Sequence, residues 1–194
     1  MLNIIIFGAP GAGKGTQSKL LLQRFGLSYI STGEELRKII CKGGKSGQVA
    51  KALIDQGKLA PDQMVVHMIS DFLDRHPQTQ GFLFDGFPRT IPQAVALNEI
   101  LDKRGMAVSL LIDLQVEDGE LIRRLMERGK ISGRSDDNAE TIQARLDIYH
   151  TQTAPLATYY ISEGKYAPIN GIGTEEEIFR RILEAVRKQE KSNE

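Results

Sequence analysis

Ile4-Ile5-Ile6-Phe7-Gly8-Ala9-Pro10-Gly11-Ala12-Gly13-Lys14-Gly15-Thr16 decides how this chain is read. Leu2 to Phe7 is a short apolar run rich in isoleucine, the pattern of a strand covered on both faces in a parallel sheet. From Lys14 to Arg24 the spacing becomes helical, and Phe25-Gly26 closes that stretch. The turn between them is rich in glycine. Glycines let the backbone fold into a nest of N–H groups around phosphate oxygens, and the N-terminus of the following helix adds a favourable field for an anion. A lysine serves no turn, so Lys14 reads as a point charge for the β- and γ-phosphates of a nucleotide. The common form of the motif has Ser or Thr directly after the lysine. Here Gly15 stands there and Thr16 comes one later, which is not the pattern of a GTPase or a motor ATPase.

Outward from this stretch, strands alternate with helices. Leu27–Ile30, Gly81–Asp85, Val108–Leu114 and Tyr166–Ile169 read as further strands. Helices are expected from Pro61-Asp62 to Arg75, from Ile91 to Arg104, from Glu117 to Arg128, from near Asn138, and after Thr174, where Thr174-Glu175-Glu176-Glu177 has the capping-box form. Alternation of this kind predicts an α/β fold on a parallel sheet. Pro168 cannot donate to a ladder, so the fifth strand belongs at an edge. The tail from Gln189 is polar and is expected to fray.

Two polar segments interrupt the core. Ser31 to Leu59 reads as a helical pair: Thr32-Gly33-Glu34-Glu35 as a capping box, Leu36, Ile39 and Ile40 as one apolar face, a break at Lys42-Gly43-Gly44-Lys45, and a second helix from Gly47 to Gln56. Gly129 to Asp137 reads as an exposed flap, with Gly129 and Gly133 helping it bend and Asp136 and Asp137 able to pair with basic groups when it closes. The expected organisation is one domain, with a core of 1–30, 61–128 and 139–194, an insert at 31–60 and a short lid at 129–138.

Composition narrows the partners. With 194 residues the chain can build one good core and carry small inserts. Lys and Arg number 25 and Asp and Glu 25, so nothing global suggests a nucleic-acid or membrane partner, and a small anion must be met by a local cluster. Cys41 is the sole cysteine, which excludes an internal disulfide and a cysteine-based zinc site and fits a reducing compartment. His67, His76 and His150 lack ligand spacing. No apolar run reaches membrane-spanning length and no basic leader precedes the first strand, so a cytoplasmic location is expected.

Asp85-Gly86-Phe87-Pro88-Arg89 is the second signal. Asp85 ends an apolar strand beside the phosphate loop, where it can hold Mg²⁺ through water. No Glu follows it. A hydrolytic ATPase needs a carboxylate there to activate water, whereas a kinase whose acceptor is a phosphate does not, because the acceptor is already an anion. Arg89 offers a planar fork to that acceptor. A strand-end turn and a solvated loop arginine are the plainer readings of these two residues. Arg124, Arg128, Arg134 and Arg145 form the third signal. Arg124 and Arg128 lie four apart on one helix face, Arg134 sits in the flap, and Arg145 lies on the next helix. Planar guanidinium groups suit the spread charge of phosphoryl transfer, although each arginine alone reads more simply as a solvated surface residue.

Together these motifs resemble the adenylate kinase family: GxPGxGKGT at the first loop, DGFPR at the second, and Arg128 to Asn138 like the short lid of that family. The resemblance runs through most of the chain. Ser31-Thr32-Gly33-Glu34-Glu35-Leu36-Arg37 is similar to the family's AMP-site segment, which implies that Thr32 contacts adenine and Arg37 binds the AMP phosphate. It implies further AMP contacts from Lys58, Leu59 and Ala60, from Gly86, Phe87, Pro88 and Arg89, from Gln93 at the adenine edge, and from Arg134 and Arg145. Ala60 departs from the family's usual valine. ATP is expected on Gly11, Ala12, Gly13, Lys14, Gly15 and Thr16, with Arg128 and with Gly173 in the loop Asn170-Gly171-Ile172-Gly173. Lys14, Arg89, Arg124, Arg128, Arg134 and Arg145 would form the catalytic set. The resemblance also implies a P-loop NTPase fold with a five-stranded parallel sheet of order 2-3-1-4-5, a cis bond into Pro88, a monomer, Mg²⁺ with ATP, no zinc, and the reaction ATP + AMP = 2 ADP. UMP/CMP kinases are the nearest rival, but they carry Ala where Thr32 stands and Asn where Gln93 stands. A GTPase switch would need an Asn-Lys-x-Asp element, which the chain lacks, and a non-catalytic scaffold would be expected to lose Lys14, Asp85 or some of the arginines.

Overall fold

The computed structural model describes residues 1–132 and 134–192. The bend expected of Gly133 therefore lies outside the described residues. Five strands form one parallel sheet of order β2-β3-β1-β4-β5: β1 (Leu2–Phe7), β2 (Ser28–Ser31), β3 (Gly81–Asp85), β4 (Leu110–Gln115) and β5 (Tyr166–Asn170). This is the expected order, and β5 with Pro168 is an edge.

Side chains alternate across β1, so the sheet builds two cores. Ile4 and Ile6 face α1 (Lys14–Phe25), α6 (Asp118–Ser132), α7 (Ala139–Ile148) and α9 (Glu175–Ser192) through Leu21, Leu121, Leu125, Leu146 and Ile182. Ile5 and Phe7 face α4 (Asp62–Asp74), α5 (Ile91–Asp102) and α8 (Leu156–Ser162) through Ile69, Leu97, Leu101 and Tyr160. With both faces covered, β1 can be apolar throughout. The pair α2 (Thr32–Lys42) and α3 (Gly44–Asp55) follows β2.

Register decides what meets at the carboxyl edge. Ile6 pairs with Asp85, Ser31 with Asp85, and Phe7 with Asp113. The phosphate loop, the Asp85 loop and the start of α2 therefore leave the sheet side by side, where ligands bind in such sheets.

Four expectations need correction. The capping box at Thr32 does not form: Ser31 is the N-cap, no side chain caps α2, and the buried Thr32 Oγ1 donates to the Gly86 carbonyl at 2.8 Å instead. Thr32 is the first residue inside the helix, one past the N-cap position from which a side chain reaches the orphan N–H groups. The helix expected to end at Arg128 continues to Ser132, and Asp136 and Asp137 of the supposed exposed flap are buried, because arginines surround them. α9 reaches Ser192, with Ile178, Ile182 and Val186 docked on the core, and the rest of the polar tail lies outside the described residues. A π-helical turn (Tyr149–Thr153) and α8 went unread, because packing rather than a clear period forms them. The capping box at Thr174 does form, with Glu177 N–H donating to Thr174 Oγ1 at 3.2 Å and Thr174 N–H to Glu177 Oε2 at 2.9 Å.

Candidate active site

A cleft of about 890 Å³ opens at the carboxyl edge of the sheet. Every residue expected to carry chemistry lines it, from Gly11 to Thr16 through Thr32, Arg37, Lys58 to Ala60, Asp85 to Arg89, Gln93, Arg124, Arg128, Arg134, Arg145 and Gly173.

The phosphate loop is built where no side chain fits. Gly8 has φ 130°, and a Cβ there would lie 2.7 Å from the Leu114 carbonyl oxygen. The loop is thus pressed against β4. No side chain caps the N-terminus of α1 and its first turn holds no acid, so the helix's own residues leave that end positive. Lys14 Nζ folds back onto the loop and donates to the carbonyls of Gly8 at 2.7 Å and Ala9 at 2.9 Å.

The electrostatics are lopsided. Burial pulls the Lys14 ammonium down to about 8; Asp85 opposes that shift, and Arg89, Arg145 and Arg128 add to it. Burial and neighbouring cations also lower Arg89 and Arg37, which stay charged all the same. Such a site is short of negative charge, and a polyphosphate supplies it.

Beside Lys14, the loop after β3 is tied by its own carbonyl. Gly86 O accepts from Thr32 Oγ1 at 2.8 Å and from Arg89 Nε at 2.8 Å, and the Phe87–Pro88 bond is cis. Gln93 Oε1 accepts from the Arg89 N–H at 2.7 Å, and its Nε2 donates to Asp62 Oδ1 at 2.7 Å. Asp62 also receives Thr90 Oγ1 at 3.2 Å. Asp62 orients Gln93, a part that its place beside Pro61 at a helix start did not disclose.

On the far wall the lid arginines are paired. Arg128 grips Asp137 with Nε to Oδ2 at 2.6 Å and Nη2 to Oδ1 at 2.7 Å. Arg145 Nη1 reaches Asp137 Oδ1 and Asp136 Oδ2, each at 2.9 Å. Burial pushes the Asp137 carboxyl up, but the Arg128 hydrogen bonds and charge, with Arg145, outweigh it, so it sits below the ordinary value. Arg134 lines the cleft; its carbonyl accepts from the Asp137 N–H at 3.3 Å, and its guanidinium forms no hydrogen bond or ion pair among the described residues. Arg124 donates to Glu120 Oε1 at 2.7 Å and to the Gly171 carbonyl at 3.2 Å.

Asp85 fits a hard divalent cation. Its Oδ2 accepts from Tyr29 Oη at 3.0 Å, and Oδ1 takes no hydrogen bond among the described residues. One carboxylate at the cleft suits Mg²⁺, which keeps several waters and binds by one or two carboxylates plus phosphate oxygens. Asp113, one strand over, was read only as part of a strand. It is buried, accepts from Tyr166 Oη at 2.7 Å, and burial raises its carboxyl.

The family model for adenylate kinase matches residues 6–165. The chain belongs to the adenylate kinase family. Relatives bearing the name adenylate kinase include one from Parabacteroides distasonis, 58% identical over 96% of this chain and 98% of that one. Another, from Phocaeicola vulgatus, is 53% identical over 97% of this chain and all of the other, and one from Porphyromonas gingivalis is 49% identical over 97% of both. Adenylate kinases are phosphotransferases that bind ATP, AMP and ADP, use Mg²⁺ with ATP, and catalyse ATP + AMP = 2 ADP. The five-stranded parallel sheet of this order, flanked by helices, is that of the P-loop NTPase adenylate kinase fold. No helix among the described residues is long and apolar enough to cross a membrane.

Proposed function

We propose that this chain moves the terminal phosphoryl group of ATP to AMP, reversibly and with Mg²⁺, and so maintains the balance of adenine nucleotides. The observation that carries this reading is the single cleft that runs from the phosphate loop to the 31–60 insert, with Lys14, Arg89, Arg128, Arg134 and Arg145 on its walls.

ATP would lie with its phosphates on Gly11 to Thr16 and its base between Arg124 and Gly173. AMP would lie against Thr32, Arg37, Lys58, Leu59, Ala60, Gly86, Phe87 and Pro88, with Gln93 at its adenine edge. Arg89 and Arg145 would hold its phosphate, and Arg134 would join them. Lys14 would leave the Gly8 and Ala9 carbonyls for the β- and γ-phosphates. Arg128 would complete the charge around the transferring group, while Arg124 stays beside the base. Planar guanidinium groups and the lysine then stabilise charge that spreads over the equatorial oxygens in the transition state. No general base is needed, because the acceptor oxygen is already anionic. Asp85 would hold Mg²⁺ through water; when bound, the ion neutralises charge between the β- and γ-phosphates.

Water must be kept from the γ-phosphate, so the insert at 31–60 and the lid at 129–138 would close over the core of 1–30, 61–128 and 139–194 once both nucleotides are in place. The protein would act as a cytoplasmic monomer, without zinc and without nucleic-acid or membrane partners. A coupled assay of ADP formation from ATP across AMP, UMP, CMP and GMP tests the proposal. ADP formed fastest with AMP is expected, and equal or better use of CMP would move the chain to a rival specificity.

A further inference from the structure

The loop Asn170-Gly171-Ile172-Gly173 leaves β5 and enters α9 at the end of the cleft where Arg124 lies. Nearly all of its carbonyls are committed. Arg181 Nη1 donates to Asn170 O at 2.8 Å and to Ile172 O at 2.7 Å. Arg124 Nη2 takes Gly171 O at 3.2 Å. Just beyond, Thr174 O accepts from the Ile178 N–H at 3.1 Å and Glu175 O from Gln17 Nε2 at 3.1 Å. Among the described residues, the carbonyl of Gly173 alone in this run takes no hydrogen bond, and Gly173 lines the cleft.

Besides these contacts, the Gly171 N–H donates to the Gln115 carbonyl at 2.9 Å, which ties the start of the loop to the end of β4. Gly171 and Gly173 flank Ile172, and Gly173 has φ 128°, a region open to glycine. A Cβ at Gly173 would meet Glu177 Oε2 at 2.5 Å and Arg181 Nη2 at 3.5 Å, so the same two side chains also back the glycine. The Ile172 N–H is held by Asn170 Oδ1 at 2.9 Å. Rotation of one peptide in this loop would exchange a carbonyl for an N–H at the cleft. Arg181, by gripping the carbonyls on either side of Gly171, opposes that rotation.

We propose that Arg181 is a positioning residue that sets the choice of phosphoryl donor: it holds the loop so that the Gly173 carbonyl faces the base of the triphosphate. A carbonyl accepts only, so it favours a base with an amino group on that edge, as adenine has, and leaves the oxygen of guanine unpaired. The inference rests on the proposed function and deepens it at the donor site.

The test compares three donors with AMP as acceptor: ATP, GTP, and the purine ribonucleoside triphosphate that lacks the 6-amino group. In the unaltered protein ATP should exceed both others in kcat/KM. In Arg181→Met the advantage should shrink by about tenfold or more, the worth of one buried hydrogen bond, mainly through a higher KM for ATP, while KM for AMP stays the same. Arg180→Met, which removes a charge one residue away, should keep the full advantage. Should Arg181→Met not fold, Arg181→Gln, which keeps a polar side chain with fewer donors, should show an intermediate loss. An unchanged donor ratio in a folded Arg181 variant, or an equal fall in Arg180→Met, overturns the inference. Failure of the unaltered protein to make ADP from ATP and AMP would instead overturn the proposed function, so the two failures are distinct.

Discussion

Arg128 and Asp137 are joined by two parallel hydrogen bonds of 2.6 and 2.7 Å, and the Asp137 carboxylate is fully buried while a third of the Arg128 side chain remains exposed. A guanidinium proposed to meet ATP is thus already held in a planar, bidentate geometry by an anion of the protein.

Asp137→Asn should lower stability, since the Arg128 and Arg145 charges lose their shared partner. A loss of about 1–3 kcal/mol is expected, below the range for a fully buried pair because Arg128 is partly solvated. The pH dependence follows from the sign of the shift. The folded carboxyl lies below the ordinary value of 3.8, so its stabilisation is present above that value and is lost as pH falls through the lower, folded one. Denaturant melts of both proteins should differ at pH 7 and converge in strong acid. A gap that persists unchanged into strong acid would show that the charge is not what matters.

Lys14→Met removes the ammonium that would stabilise the transferring group more in the transition state than in the ground state. Turnover should fall by roughly 10³-fold or more, as with charge-stabilising groups in other phosphoryl transfer. The fold should survive, because Nζ bonds only carbonyls of its own loop. Near-normal turnover in a folded mutant would take Lys14 out of the mechanism.

AMP should be preferred over UMP and CMP by orders of magnitude in kcat/KM, because a wrong base leaves buried polar groups unpaired. Gln93 is held at both ends, by the Arg89 N–H and by Asp62. Asp62→Ala should therefore narrow the preference without touching the base, chiefly by raising KM for AMP. Kinetics with all three monophosphates check this, and an unaltered preference in Asp62→Ala would mean that Gln93 needs no such support.

Closure can be followed by amide exchange. Ser135 Oγ donates to Asp55 Oδ1 at 2.8 Å, and Thr141 Oγ1 to the Asp55 carbonyl at 3.2 Å, so both the lid segment and the core beside it bond to the end of the insert. A dinucleotide joining two adenosines through five phosphates should engage both sites at once and bind far more tightly than ATP or AMP alone. It should slow exchange in 31–60 and 129–138 more than in the strands. Unchanged exchange in those segments on binding would leave the two-lid mechanism without support.

What the sequence determined by itself was local. A strand of isoleucines, a glycine turn, Lys14 and a helix lie within a few residues of one another, and their order alone requires a backbone nest at a helix N-terminus. The alternation of strands and helices likewise carries the parallel sheet, and Pro168 its edge. The tertiary structure decided which polar side chains serve which partner. Thr32 had the spacing of an N-cap, yet its hydroxyl went to Gly86, 54 residues away, because β2 and β3 are in register at Ser31 and Asp85. Asp136 and Asp137 were legible as acids able to pair with basic groups, but only the fold shows that Arg145 takes both, that Arg128 takes Asp137, and that the two acids are buried. Asp62, Asp113 and Arg181 carried no signal at all, since each acts on a group that is distant in the chain or on a backbone carbonyl. Helix and strand periods are written in near neighbours, but a hydrogen bond's partner depends on register and crossing, which exist only once the chain has folded.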